Sequence, residues 1–470
     1  MEATHENGNS SRRLLHVVAL PLPGRGHINP MLSLCRRLAT REGLLVTVVV
    51  TEEWLGLLSS FSSSAAAAAS PASNLRLRAI PDVVPSESTR GQDYADFIQA
   101  VLTKMGGPVE ALVAALNPPA DAVVADALLP WAAGIGRRRG VPVAALFPQA
   151  AAVFLALHEF RSFDDGRPLS EIHASGRANG YLDYIPRNSS PHLADFLSKS
   201  SGQNMIRTFI QVLTWFSTAQ SLLFNSFDEL EGHAINTLRS KLSIPIYSIG
   251  PCIPYITHGD NPPDPYYKWL DSQQRSSVLY VSLGSFLPIS DVHTVELATG
   301  LQMSGVPFLW VMRGDCTQIK KLSGEMGFVV PWCDQLSVLC HPSVGGFLTH
   351  CGWNSTLEGI YAGVPMVTYP LMWDQYPNSK LIVDDWKVGF RIKNEEEEGV
   401  VGREQIANVV QKLMDLDADD SRELRRRARE FKERSLKASN DGGSSTTSID
   451  AFLQDVIRCK QKFAYHNKTT

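Results

Sequence analysis

The stretch VGGFLTHCGWNSTLEGIYAG, Val344 to Gly363, joins two kinds of structure across one short turn. Its opening run is apolar up to His350 and reads as a strand buried on both faces of a parallel sheet. Ser355 to Gly363 reads as a short helix ended by glycine. The join, Cys351 to Asn354, lies at the carboxyl end of the strand. A helix starting there points its unpaired N–H groups, and the positive end of its dipole, into the crevice beyond the strand. A diphosphate suits such a place. His350 and Asn354 supply further donors, and Gly352 lets a backbone come close. Ser355 and Glu358 also fit the S-x-x-E capping box, which needs no ligand, so the two readings stand side by side. Trp353 is costly in a tight turn unless it packs against something flat.

The same strand-to-helix alternation extends outward in both directions. Residues 14–23 and 44–50 read as strands around a helix, NPMLSLCRRLA, with Asn29 as N-cap and Pro30 at the first helical position, where a missing N–H costs nothing. Further strands are predicted at 75–80, 122–126, 142–147, 221–226 and 244–251, with a helix ending at Gly140. The Pro-, Gly- and Asp-rich run 257–265 reads as a linker, after which strands and helices resume. This pattern predicts two facing, doubly wound α/β domains, with ligands at the carboxyl ends of their strands. The expected divisions are a disordered start at 1–12, a first domain at 13–250, a connection at 251–268, a second domain at 269–440 and a last helix at 441–470.

The bulk composition narrows the class. The chain has 470 residues, 44% hydrophobic and 20% charged, with a formal net charge of -4. Nothing basic points to nucleic acid, and no apolar run reaches the length of a membrane span. The seven cysteines show no C-x-x-C pair, which argues against a structural zinc site or a disulfide framework. A cytosolic protein is expected.

The segment Trp332–Gln375, 44 residues long, carries more than the turn alone. It opens with Trp332 and has Gln335 three residues on. H-C-G-W-N-S-x-x-E stands in its middle, and it closes on Asp374-Gln375. In this it resembles the signature box of the plant family-1 UDP-sugar-dependent glycosyltransferases. The resemblance implies the GT-B fold, two Rossmann-like domains across a cleft with the donor held by the second, and a last helix that returns to the first. It also implies roles. Trp332 would stack on uracil, Cys333 would meet it through its backbone, and Gln335 would lie near the uridine. Glu358 would accept from two ribose hydroxyls. His350, Gly352, Asn354 and Ser355 would hold the diphosphate, with Ser285 reaching it from the facing loop. Trp353, Asp374 and Gln375 would contact the sugar. A terminal glutamine goes mainly with glucose, which points to UDP-glucose as donor substrate. Residues 333–334 are Cys-Asp where many relatives have Ala-Pro or Val-Pro.

The first half carries its own candidate site. PLPGRGHINP, residues 21–30, follows the first strand with a G-x-G, and Glu52 follows the second. A nicotinamide-binding fingerprint fails, because Asn29 stands where the third glycine belongs. His27 instead lies at the mouth of the crevice, and Asp126 ends the strand AVVAD at the same edge. In the resembled family these positions form a dyad. An acceptor hydroxyl must lose a proton as it attacks the anomeric carbon, and a neutral imidazole suits that task. A carboxylate behind it fixes the tautomer and offsets the charge that forms. The expectation is therefore an inverting transferase that moves glucose to a hydroxyl or carboxyl of a small lipophilic plant metabolite, a flavonoid, phenolic, terpenoid or hormone.

The D-x-D string at 415–420 follows a helix in a charged stretch, so no metal and no cofactor are expected. The expected partners are a UDP-sugar and a small acceptor, bound by a monomer. Trp131, Phe147, Phe154 and Phe160 are candidates for the acceptor pocket, and core for them is the simpler reading. The alternatives are a silent UDP-sugar-binding regulator and a nicotinamide-dependent oxidoreductase.

Overall fold

The computed structural model describes residues 14–65, 74–88, 94–161, 211–253, 264–284, 290–314, 316–392 and 400–469, with the side chains of 60–65, 160 and 462–469 excepted. Two parallel sheets organise them. The first contains β1 (Leu15–Leu20), β2 (Leu44–Thr51), β3 (Leu75–Ile80), β4 (Ala122–Asp126), β5 (Val143–Phe147), β6 (Ser221–Phe224) and β7 (Ile246–Ser248), in the spatial order 3-2-1-4-5-6-7. The second contains β8 (Val278–Ser282), β9 (Phe308–Val311), β10 (Gly327–Val330), β11 (Val344–Thr349), β12 (Met366–Thr368) and β13 (Gly389–Arg391), in the order 10-9-8-11-12-13. Every pairing in both sheets is parallel. β1, β2, β4 and β5 are Val-, Ala- and Leu-rich and almost wholly buried, because helices cover both faces of such a sheet.

Strand order reverses between β1 and β4 in the first sheet and between β8 and β11 in the second. A reversal sends the flanking connections to opposite faces and opens a crevice at the carboxyl ends of the two central strands. His27 and Asp126 belong to the first crevice, and the turn after His350 belongs to the second.

Two helix starts differ from the sequence reading. The first helix runs Arg25–Ala39, with Gly24 as N-cap and Pro30 in its interior. The amides of His27 and Ile28 both donate to the Gly24 carbonyl, so the first turn closes before Asn29 is reached. The second helix of interest runs Trp353–Ala362 with Gly352 as N-cap. Ser355 is thus inside the helix, and the capping box does not form. Gly363 does end that helix, in the left-handed conformation at φ 71°. The Ser- and Ala-rich run 59–73, which by composition reads as an exposed loop, begins inside the helix Glu52–Ala65. β13 went unpredicted, since three residues are too few to show a period. The linker 257–265 and the acidic run 395–398 lie almost wholly outside the described residues, as do residues 1–12.

The last helix, Ser444–Thr469, returns to the first sheet. Ile449, Phe452, Leu453 and Val456 enter the core formed by β1, β2 and β4. Tyr247 bonds Asp455, and its ring meets Phe452 edge-on at 5.9 Å. Ion pairs Arg41–Asp450 and Lys460–Asp121, both at 2.9 Å, flank the contact. Phe452 is only 1% exposed. Phe452→Ala should therefore cost about 3–5 kcal/mol of stability. A chemical-denaturation midpoint that stays at the wild-type value would show that the helix adds nothing to the core.

Candidate functional site

In the first crevice, β4 ends on Asp126, which is fully buried, and the β1 loop turns into the helix that carries His27. His27 Nδ1 lies 2.7 Å from Asp126 Oδ2, while Asp126 Oδ1 accepts from the Leu128 amide at 3.0 Å. Both carboxyl oxygens of Asp126 act as acceptors here. Its partner is then Nδ1–H, which makes Nε2 the acceptor nitrogen of the ring.

In the second crevice, β8 and β11 end side by side. His350 caps the register, its amide donating to the Ser282 carbonyl. The imidazole is wedged between Gly284 and Gly352. A Cβ at either glycine would come within 2.7 Å or 2.5 Å of Nε2, and Gly284 also holds φ +81°. Burial pushes His350 down to about 4, so at neutral pH it is an uncharged donor of one ring N–H. Its Nδ1 has no hydrogen-bond partner among the described residues. Cys351, beside it, is forced to φ 65°. Non-glycine residues rarely hold this backbone conformation, and it clusters where a site is over-determined. The first N–H groups of the helix Trp353–Ala362 then face the same space.

Gln335 begins a short helix, Gln335–Leu339, and ties three of the predicted residues together. Its Nε2 donates to Ser355 Oγ at 2.9 Å and to Glu358 Oε2 at 2.7 Å, and its Oε1 accepts from Tyr280 at 3.2 Å. Burial raises Glu358 to about 7. Asp334 adds to the rise and the Gln335 bond opposes it. Cys333 is buried against the Tyr280 hydroxyl with its thiol pushed up to about 12, which makes it unreactive. Trp332, by contrast, is 49% exposed at the rim and offers a flat face.

Asp374 and Gln375 stand opposite His27. Burial raises Asp374 to about 6, against the opposing effects of its bond from Asn378 and of nearby His27. Gln375 Oε1 accepts from the amides of Leu371 and Met372, which fixes the amide and leaves its N–H₂ as the end free to turn to a ligand. Trp353 lines the cavity and also reaches across to the first half. Its indole is 3% exposed and donates to the Asn225 carbonyl at 2.7 Å, so the side chain packs across the two halves. Ser285 lies outside the described residues.

Trp332, Cys333, Gln335, His350, Gly352, Trp353, Asn354, Ser355, Glu358, Asp374 and Gln375 line one cavity of about 520 Å³, together with His27. Its first-half wall includes an apolar patch of Leu22, Phe97, Phe147, Val153, Leu157 and Leu213, beside which stand Arg25, Glu87 and Gln149. Of the predicted aromatics, Phe147 reaches the cavity. Phe154 is core, edge-on to Phe147, Phe216 and Phe224. Trp131 packs beneath Gly106 and donates to the Val101 carbonyl. The side chain of Phe160 lies outside the described ones. Glu52 is exposed and takes no part in the cavity, which removes the ribose acid that a nicotinamide site would need.

Sequence reasoning missed Tyr94 and Trp373. They meet edge-on at 5.7 Å from opposite halves, with Trp373 at φ 54°. Neither has a local signal, because the contact exists only once the halves are placed.

Two parallel-sheet, Rossmann-like halves across a shared cleft are the GT-B architecture. The family described as UDP-glucoronosyl and UDP-glucosyl transferase matches residues 255–417. UDP-glycosyltransferase 87A2 of Arabidopsis thaliana is 42% identical over 96% of this chain and 98% of its own length. Among solved structures, Os79 from O. sativa in complex with UDP superposes with a TM-score of 0.78 at 29% identity, over 94% of this chain and all of that one. Phytolacca americana UGT2, complexed with UDP-2fluoro-glucose and pterostilbene, gives 0.73 at 26% identity, over 94% and 99%. The chain belongs to the plant family-1 UDP-glycosyltransferases and is an enzyme of that class.

Proposed function

We propose that this enzyme transfers glucose from UDP-glucose, with inversion, to a hydroxyl or carboxyl of a small lipophilic metabolite, His27 acting as general base. The observation that carries the reading is the opening of the His27–Asp126 pair onto the same cavity as the residues around the Trp353 helix.

The step balances as a single displacement. The acceptor O–H gives its proton to His27 Nε2 as its oxygen bonds to the anomeric carbon, and the bond from that carbon to the diphosphate oxygen breaks. The electron pair leaves with UDP. Charge growing on the diphosphate is met by the helix N-terminus and by His350, so the reading needs neither metal nor cofactor. Trp332 would stack on uracil, and Glu358 would accept from the ribose. Ser285, in the Gly-Ser after β8, would add a phosphate contact. Asp374 and the Gln375 N–H₂ would orient the sugar. Glucose is the donor favoured by Gln375, and the UDP-2fluoro-glucose named with the Phytolacca neighbour agrees with it. The apolar patch of the first-half wall suits a flat phenolic or terpenoid, and pterostilbene in that neighbour is of the phenolic kind. A monomer working in the cytosol fits seven free cysteines.

The test is UDP release from UDP-glucose and from UDP-galactose across phenolic, flavonoid and terpenoid acceptors, with the anomeric proton coupling of the product read by NMR. A β-glucoside is expected. An α-glucoside would overturn the one-step mechanism, and preference for UDP-galactose would overturn the donor.

A further inference from the structure

The cleft holds a contact that neither the chemistry nor the donor site requires. Pro30 sits inside the helix Arg25–Ala39 and has no N–H. The carbonyl four residues earlier, that of Gly26, is therefore denied its ordinary in-helix donor. Asn354, from the facing half, donates its Nδ2 to that carbonyl at 3.1 Å. Its neighbour Trp353 donates to the Asn225 carbonyl just beyond β6. Asn225 is itself fixed, its Oδ1 accepting from the Cys252 amide at 2.7 Å. Two successive residues at one helix start thus grip two backbone carbonyls of the other half.

The amide orientation of Asn354 follows from the contact. Its Oδ1 has no partner among the described residues, and flipping the group would set two acceptors against each other. The gripped carbonyl belongs to the residue directly before His27.

We propose that Pro30 and Asn354 form an interdomain clasp. Pro30 withholds the N–H that would occupy the Gly26 carbonyl, and Asn354 takes it, setting His27 at its working distance from the donor crevice. Asn354 is then a positioning residue, with its backbone N–H and second amide proton still available to a diphosphate. Reacting groups lose rate steeply with displacement, by as much as about a hundredfold for roughly 1 Å.

The proposal rests on the transferase reading and is tested with UDP-glucose and whichever acceptor of the panel turns over. Pro30→Ala returns the missing N–H to the helix. It should lower kcat about tenfold and leave KM for UDP-glucose within twofold. Asn354→Ala should lower kcat at least as much, and the double variant no further, since both break one contact. Effects that multiply, or a Pro30→Ala enzyme at the wild-type rate, overturn the clasp. Calorimetry with UDP alone separates the roles. Affinity within threefold of wild type in Pro30→Ala is expected, and a fall parallel to kcat would overturn the clasp as a positioning device. Hydrogen exchange across Gly24–Met31 needs no turnover. It should quicken in Asn354→Ala, and unchanged exchange overturns the clasp even if no acceptor reacts, an outcome that would separately defeat the transferase reading.

Discussion

Alanine in place of His27 lowers turnover by about 10²–10⁴-fold, the usual worth of a positioned general base, with KM for UDP-glucose close to wild type. The geometry explains both halves of this expectation. His27 lies on the first sheet's crevice and Trp332, Gln335 and Glu358 lie on the second, so the donor keeps its partners when the imidazole is gone. Asp126→Asn should cost a comparable factor for another reason. An amide can donate to Nδ1 where the carboxylate accepts from it, and the imidazole then presents Nε2–H, which cannot take a proton. Asp126 is buried and braced by the Leu128 amide, so the asparagine should keep its place. Retention of more than a tenth of the wild-type rate by His27→Ala would remove the base from the mechanism. A normal rate in Asp126→Asn would reduce Asp126 to a packing group.

Much of this arrangement is legible before any coordinates. Apolar runs at β1, β2, β4, β8 and β11 announce parallel strands, and their alternation with helices fixes the fold class. The site motifs fall where strand order reverses, so the loops after β1 and β11 were informative. What could not be read depends on contacts between the halves. The bond from the Trp353 indole to the Asn225 carbonyl has no local signal, because the two residues are far apart in sequence. Ser355 and Glu358 looked like a capping box because the helix start was placed at Ser355. The helix begins earlier, at Trp353, and Gln335 engages both side chains. Asn29 and Pro30 made a good N-cap pair on paper. Bonds to the Gly24 carbonyl closed the turn sooner and left Pro30 inside, and a local rule has no means of weighing that competition.

Glu358→Ala weakens UDP binding roughly 150-fold, since two charge-assisted hydrogen bonds to ribose are together worth about 3 kcal/mol. The wild-type protein adds a pH signature. Glu358 stands near 7 in the empty cleft, against an ordinary 4.5. Between those values the folded protein holds a proton that the unfolded chain has lost. Its contribution to stability is therefore present below about 4.5 and fades as pH rises through about 7. In the proposed binding mode the ribose hydroxyls donate to the ionised carboxylate, so binding must expel the proton. UDP affinity should thus rise with pH up to about 7 and level off beyond it. Calorimetry at pH 6 in buffers of different ionisation enthalpy should detect proton release on binding. Glu358→Gln keeps the shape of the side chain and the contact to Gln335, yet cannot titrate. Its affinity should be weaker than wild type and flat across the same range. Wild-type binding that is already flat, or that tightens as pH falls, would take the ribose away from Glu358 and leave it as a partner of Gln335 alone.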